Sequence, residues 1–261
     1  MEEEYEKAAI FLKTAMEELC RLELPSQTKV MDFGCGSGEL TDHFLLLGYD
    51  AHGCDVKPYW QQKSHAAVER LATISLAPYR LPYESGTFDV VVSTSVLEHA
   101  QNKEELFREI HRVLKVGGYS MHIFPSKWYL PAEPHIYVPL VNFFWPKCPW
   151  WWLAVWALIG VRNEFQQDKS WKEVAEANYE YCKRGLSSWS NRRYRELSRR
   201  ISGNYLSPSE FSIHHGYGGC RKTTKKIFFP AVFWLVAWRI EDEFHHSAEA
   251  WLVSERTEVV S

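Results

Sequence analysis

The sequence has no basic excess: 30 Lys and Arg stand against 33 Asp and Glu, a net charge of -3. That balance leaves no electrostatic footprint for a nucleic-acid partner. The six cysteines, at 20, 35, 54, 148, 182 and 220, include no C-x-x-C pair. Neither a zinc ribbon nor a dithiol redox motif is expected, the thiols read as reduced, and no ligand spacing demands a metal. No Gly-Lys-Ser/Thr sequence is present, which excludes a phosphate-binding P-loop. Long apolar runs are missing too. A membrane span needs about 20 residues, and the aromatic stretches Trp150–Gly160 and Ile227–Trp238 fall short of that. The opening Met1-Glu-Glu-Glu-Tyr5 has acids where a secretory leader has an apolar core, so a cytoplasmic location is expected.

What is present fits one large α/β domain with a sizeable insertion. Apolar residues at Ala9, Leu12, Met16, Leu19 and Leu22 predict a helix over 5–24, ended by Pro25. Strands are expected at 29–33, 50–56, weakly near 72–76, at 88–93 and at 119–124. Helices are expected at 39–48, 57–72 and 103–114. This alternation implies βαβ units and a parallel sheet. After Pro125 it is lost. A Pro- and Trp-rich stretch covers about 126–160, and a charged, helical one about 164–202. Further strands are expected near Phe211 and at Ala250–Glu255, the latter closing the sheet.

The sharpest local signal is Val30-Met31-Asp32-Phe33-Gly34-Cys35-Gly36-Ser37-Gly38. A strand ends in closely spaced glycines that open a helix, at the sheet end where open α/β folds bind ligands. A dinucleotide fingerprint needs G-x-G-x-x-G, but here the third glycine comes one residue early and Glu39 takes its place. Asp32, just before the loop, would repel a phosphate and suits a cationic group.

With these residues the chain resembles class I S-adenosylmethionine-dependent methyltransferases, in particular the small-molecule group that includes quinone-biosynthesis enzymes. The resemblance extends to Asp55, to Leu81-Pro82-Tyr83, to Gly86–Ser93, to Val96-Leu97-Glu98-His99 and to Arg112–Gly118, covering roughly residues 28–125. It implies a Rossmann-like, mostly parallel seven-stranded sheet with helices on both faces. It also implies S-adenosylmethionine as cofactor. The contacts it implies are Asp32, Gly34, Cys35 and Gly36 from the loop, Asp55 on the ribose hydroxyls, and Tyr79, Arg80 and Ser93 around the rest. Relatives carry an acid a few positions before Leu-Pro that touches the adenine amino group; here Ser75-Leu-Ala-Pro-Tyr-Arg80 has none. Backbone near Pro78–Arg80 is the expected substitute.

Catalytic candidates should follow the fourth and fifth strands. His99 has the near-neutral pKa of a general base, or shapes the cofactor pocket. Glu98 reads as a cap on local backbone. In Pro131-Ala-Glu133-Pro-His135-Ile-Tyr137-Val-Pro139 the prolines favour an extended chain. Glu133, His135 and Tyr137 would then share one side. Either they meet the substrate or they anchor a stiff loop.

Eleven of the 12 Trp lie at or after Trp128. These aromatics form the core of a substrate region, or they rest on a bilayer as a peripheral contact. The expected division is a cofactor-binding core over 1–125, a helical, aromatic-rich lid over 126–225, and a C-terminal helix and edge strand over 226–261. The expected activity is methyl transfer to a small-molecule acceptor with apolar or ring surface, lipid- or glycan-linked acceptors included. A catalytically inactive cofactor-binding module and a membrane-surface enzyme acting on a lipid are the alternatives.

Overall fold

A computed structural model describes residues 2–22, 25–62, 67–100, 102–125, 133, 135–144, 147–185, 189, 191–202 and 233–239. Its centre is a six-stranded sheet. In chain order the strands are β1 (Lys29–Phe33), β2 (Asp50–Asp55), β3 (Leu71–Thr73), β6 (Phe88–Thr94), β7 (Leu114–Pro125) and β8 (Phe233–Arg239). The short strands β4 (Ser75–Leu76) and β5 (Tyr79–Arg80) form a separate hairpin. The sheet order is β3-β2-β1-β6-β7-β8, with the first five parallel and β8 antiparallel to β7. The order reverses between β1 and β6, the switch point where such sheets open a crevice.

Alternation along the strands builds a core on each face. Met31, Phe33 and Val91 pack with Leu106, Phe107, Ile110 and Val113 of α3 (Lys103–Val113) and with Tyr194 and Leu197 of α7 (Asn191–Ser202). Val30, Val90 and Val92 face the other way. They pack on Leu12, Ala15 and Met16 of α1 (Glu2–Cys20) and on Leu40 and Phe44 of α2 (Glu39–Leu46). All three valines of β6 are fully buried, each worth roughly 1.5–3 kcal/mol over exposure.

Local chemistry sets several ends. Arg21 adopts a left-handed conformation (φ 57°) and the Leu22 N–H closes on the Met16 carbonyl at 3.0 Å, so α1 stops four residues before the predicted position. The helix predicted over 57–72 is instead two short 3₁₀ turns, Tyr59–Gln62 and Val68–Arg70, with 63–66 outside the described residues. The Ala67 N–H there goes to the Asp42 carboxylate (3.2 Å), not to a helical carbonyl. Arg112 joins two of the resemblance motifs. It donates to the Leu81 and Tyr83 carbonyls at 3.1 and 2.9 Å and pairs with buried Glu109, whose Oε2 accepts from the Leu81 N–H at 2.8 Å. The Leu81-Pro82-Tyr83 loop is thereby pinned to α3.

Beyond β7 lie α4 (Val141–Phe144), α5 (Trp150–Leu158), α6 (Trp171–Glu180) and a π-helical turn, Tyr181–Gly185. Helix α5 packs on α6 through Ala154, Ala157, Val174 and Ala175. The edge strand corrects the sequence reading: β8 comes from the aromatic run at 227–238, which was expected to serve a lid core or a bilayer. A short apolar run carries no decisive periodicity, and its pairing with β7 decides it. The strands expected near Phe211 and at Ala250–Glu255, and the C-terminal helix, lie outside the described residues. Six strands of the main sheet are described where seven were expected.

Candidate active site

The glycine loop is shaped by left-handed backbone. Gly34 and Gly36 have φ of 75° and 56°. A Cβ on Gly34 would stand 2.3 Å from Val96 Cγ2, so the loop packs directly on the turn that follows β6. A Cβ on Gly36 would meet nothing within 4 Å, so this residue borders open space.

Three N–H groups of the loop are occupied internally. Those of Gly34 and Cys35 donate to the Cys54 carbonyl at 2.7 and 3.1 Å, and that of Gly36 donates to Asp55 Oδ2 at 2.9 Å. Asp55 Oδ1 also accepts from the Val56 N–H. A phosphate loop aims free N–H groups at its ligand. This loop offers two carboxylates, Asp32 and Asp55. Asp32 is buried, and burial pushes its carboxyl up to about 7, opposed by a 3.0 Å hydrogen bond from Thr41 and assisted by the charge of Asp55. The arrangement favours a cation and disfavours a phosphate.

Other predicted contact residues divide. Cys35 is buried, and its N–H is bonded to the Cys54 carbonyl. Tyr79, on the β4–β5 hairpin, is half-buried on the core and close enough to Asp55 to feel its charge. Arg80 beside it is exposed. Ser93 is at the right end of β6, but its hydroxyl is fully buried and bonded to His122 Nδ1 at 2.7 Å, so only its main chain is left for a ligand. His122 also meets Ser120 at 2.6 Å, and burial pushes its pKa down to about 3, which keeps it neutral within the sheet.

The candidate catalytic residues meet in a second group. After β6, Ser95 turns at φ 56° and Val96–Ala100 form a helical turn, with the His99 and Ala100 N–H groups on the Val96 carbonyl. His99 Nδ1 sits 2.6 Å from the Gly185 carbonyl, so Nδ1 carries the proton and Nε2 the lone pair. Burial holds its pKa below the ordinary histidine value. The His99 and His135 rings lie edge-on with centroids 4.9 Å apart.

Glu133 and residues 135–138 correct the prediction of an extended strap. Glu133 Oε2 captures the His135 and Ile136 N–H groups at 2.9 and 3.1 Å, and the Glu133 carbonyl takes the Tyr137 N–H at 2.7 Å. The result is a tight turn. Tyr137 leaves it at φ 56°, with its side chain largely exposed. The phenol that joins Glu133 and His135 is that of Tyr181. It donates to Glu133 Oε1 at 3.0 Å and lies 3.2 Å from His135 Nδ1, which itself is 2.8 Å from Glu133 Oε1. Burial alone would raise the Glu133 carboxyl, but the hydrogen bond and charge of His135 and the bond from Tyr181 hold it below the usual range. Tyr181 and Gly185 carry no local motif, and nothing in the sequence marks their place opposite residues 48 and 86 positions away.

Residues 31–121 match a family model described as a methyltransferase domain. The stretch is thus similar to methyltransferase domains, over about a third of the chain. S-adenosylmethionine is the cofactor of that family. A phosphoethanolamine N-methyltransferase of Triticum aestivum is 30% identical over 112 residues, 41% of this chain and 22% of its own length. A ubiquinone biosynthesis O-methyltransferase of Pseudomonas aeruginosa is 34% identical over 98 residues, 34% of this chain and 41% of its own. The methyltransferase match thus spans well under half the length of these curated relatives. The crystal structure of an S-adenosylmethionine-dependent methyltransferase from Mesorhizobium loti is 16% identical, with a TM-score of 0.49, over 88% of this chain and 99% of that one.

Proposed function

We propose that this chain transfers a methyl group from S-adenosylmethionine to a small-molecule acceptor held beside His99, Glu133, His135 and Tyr181. The observation that carries the reading is the state of the glycine loop. The N–H groups of Gly34, Cys35 and Gly36 are satisfied, Gly36 borders open space, and the loop carries two carboxyl groups, Asp55 and the buried Asp32, whose charged form a bound cation would favour. That cradle fits a cationic sulfur nucleoside, with Asp55 exchanging its Gly36 contact for ribose hydroxyls and Tyr79 flanking the base. S-adenosylmethionine supplies an electrophilic methyl group. The protein's own task is alignment and proton management. Val96 against Gly34 links the cradle to the turn bearing His99, whose Nε2 is set to take the proton an O–H or N–H acceptor loses.

The relatives are named for phosphoethanolamine and for ubiquinone biosynthesis. Their chemistry supports a small acceptor, and the aromatic packing of Trp152, Trp156, Phe144 and Tyr181 supports one with apolar or ring surface. In this reading residues 126–225 act as a lid. A second reading places the protein on a membrane surface with a lipid-linked acceptor. It draws on α5, where Trp151, Val155 and Leu158, with Ile159 just after, form an exposed apolar stripe. No helix among the described residues is long and apolar enough to cross a membrane.

Methyl-tritiated S-adenosylmethionine tests the proposal, offered with phosphoethanolamine, with catechols, and with lipid and polar cell extracts. Label transfer to one of them is expected. Tight cofactor binding without transfer to any would identify a non-catalytic binding module. Transfer confined to vesicle-bound protein and lipid would favour the membrane reading.

A further inference from the structure

Two buried glutamates in this site are in opposite states. Glu133 accepts four hydrogen bonds, from His135 Nδ1, the Tyr181 hydroxyl and two backbone N–H groups. Glu98 is as deeply buried, yet neither of its carboxyl oxygens has a hydrogen-bond partner on any other described residue. Its own backbone N–H is the one hydrogen-bonding group that favours its charged form. Glu98 stands one residue before His99 in the turn after β6, and its charge is felt at His135, Glu133, Lys103 and Tyr181. Lys103 turns its ammonium elsewhere, donating to the Ala100 carbonyl at 2.6 Å and lying 5.4 Å from the centre of the Trp189 ring.

An unsatisfied buried carboxyl is costly and rare. We propose that Glu98 binds the acceptor directly, its carboxyl group taking a hydrogen bond from an O–H or N–H donor of the substrate. This assignment rests on the acceptor site described above and names its recognition chemistry: a hydroxyl or an ammonium beside the methylated atom. Burial also raises the Glu98 carboxyl to about 8 and lowers Lys103 to about 7, so a bound donor would shift the balance between them. Two carboxyls driven apart in one site is the pattern of divided roles, with Glu133 fixing His135 and Glu98 facing the substrate.

The test compares wild type with Glu98→Gln and Glu98→Leu, the first isosteric and the second apolar. Three quantities are read: melting temperature, affinity for S-adenosylmethionine by calorimetry, and methyl transfer to a dilution series of small-molecule extract from cells that naturally make the protein. Both variants are expected to melt at or above the wild-type temperature, to bind cofactor within about twofold, and to need at least about tenfold more extract for half-saturation. Unchanged half-saturation overturns the assignment alone, as does a lowered melting temperature accompanied by lost cofactor affinity. Absence of transfer by a cofactor-bound wild type overturns the acceptor-site reading and this assignment together.

Discussion

The Tyr181 hydroxyl donates to Glu133 Oε1 at 3.0 Å, joining the π-turn after α6 to the tight turn after β7. The same π-turn holds His99 through the Gly185 carbonyl. One five-residue element thus sets the geometry of both histidines. Tyr181→Phe removes a single donor from a buried carboxylate. A stability loss of about 1–2 kcal/mol is expected, because one oxygen of Glu133 loses a partner in a low-dielectric site. Methyl transfer should fall about tenfold or more, with cofactor affinity unchanged. Thermal melts and steady-state kinetics check both, and unaltered turnover would detach Tyr181 from the site.

The pH profile should identify the base. Burial lowers the His99 pKa, so its neutral, proton-accepting form persists below the ordinary histidine value of about 6.5. The acid limb of kcat, measured at saturating cofactor so that Asp32 does not contribute, is therefore expected to lie below that pH. His99→Asn should abolish the limb along with most of the rate. A limb centred above pH 7 would assign the base elsewhere.

Asp32 makes both stability and binding depend on pH. Its folded pKa, about 7, is raised by burial above the value of 3.8 of an unperturbed carboxyl. The folded state therefore holds the proton more tightly than the unfolded chain. This contribution is fully present below about pH 4 and is lost as pH rises through 7. Asp32→Asn should flatten that decline. A bound cation favours the carboxylate, so S-adenosylmethionine binding should release protons near pH 7. Calorimetry in buffers of different ionisation enthalpy measures the release; a value of zero, or proton uptake, contradicts the placement of the cation beside Asp32.

Gly34→Ala tests the link between cradle and acceptor turn. The left-handed backbone at φ 75° costs alanine about 1–2 kcal/mol, before the 2.3 Å clash with Val96 is counted. Stability should fall by more than that figure. The added Val96→Ala change should restore only the steric part. Equal melting temperatures for Gly34→Ala and wild type would contradict the described packing.

The parts of this molecule legible in its sequence are those governed by neighbours along the chain. Val30–Phe33, the glycines after them and Asp55 form a local pattern, and all lie at the expected ends of adjacent strands. His99 follows β6 for the same reason. Tyr181 and Gly185 were not legible, because their partners are remote in sequence and their own segment reads only as charged helix. Tyr137 was selected by an alternation that presupposes an extended chain. The Glu133 carboxylate, by binding the N–H groups of His135 and Ile136, bends the chain instead. Ser93 reached the expected strand end, yet its hydroxyl is directed into the sheet by His122, two strand positions from Ser120.

The central claim is that the crevice of Gly34, Gly36, Asp32 and Asp55 holds S-adenosylmethionine. Calorimetric titration of the wild-type chain and of Asp55→Ala with this cofactor addresses it most directly. One equivalent should bind the wild type, and Asp55→Ala should bind at least about tenfold more weakly through loss of the paired ribose contact. Failure of the folded wild type to bind, or identical affinity in the variant, contradicts the account.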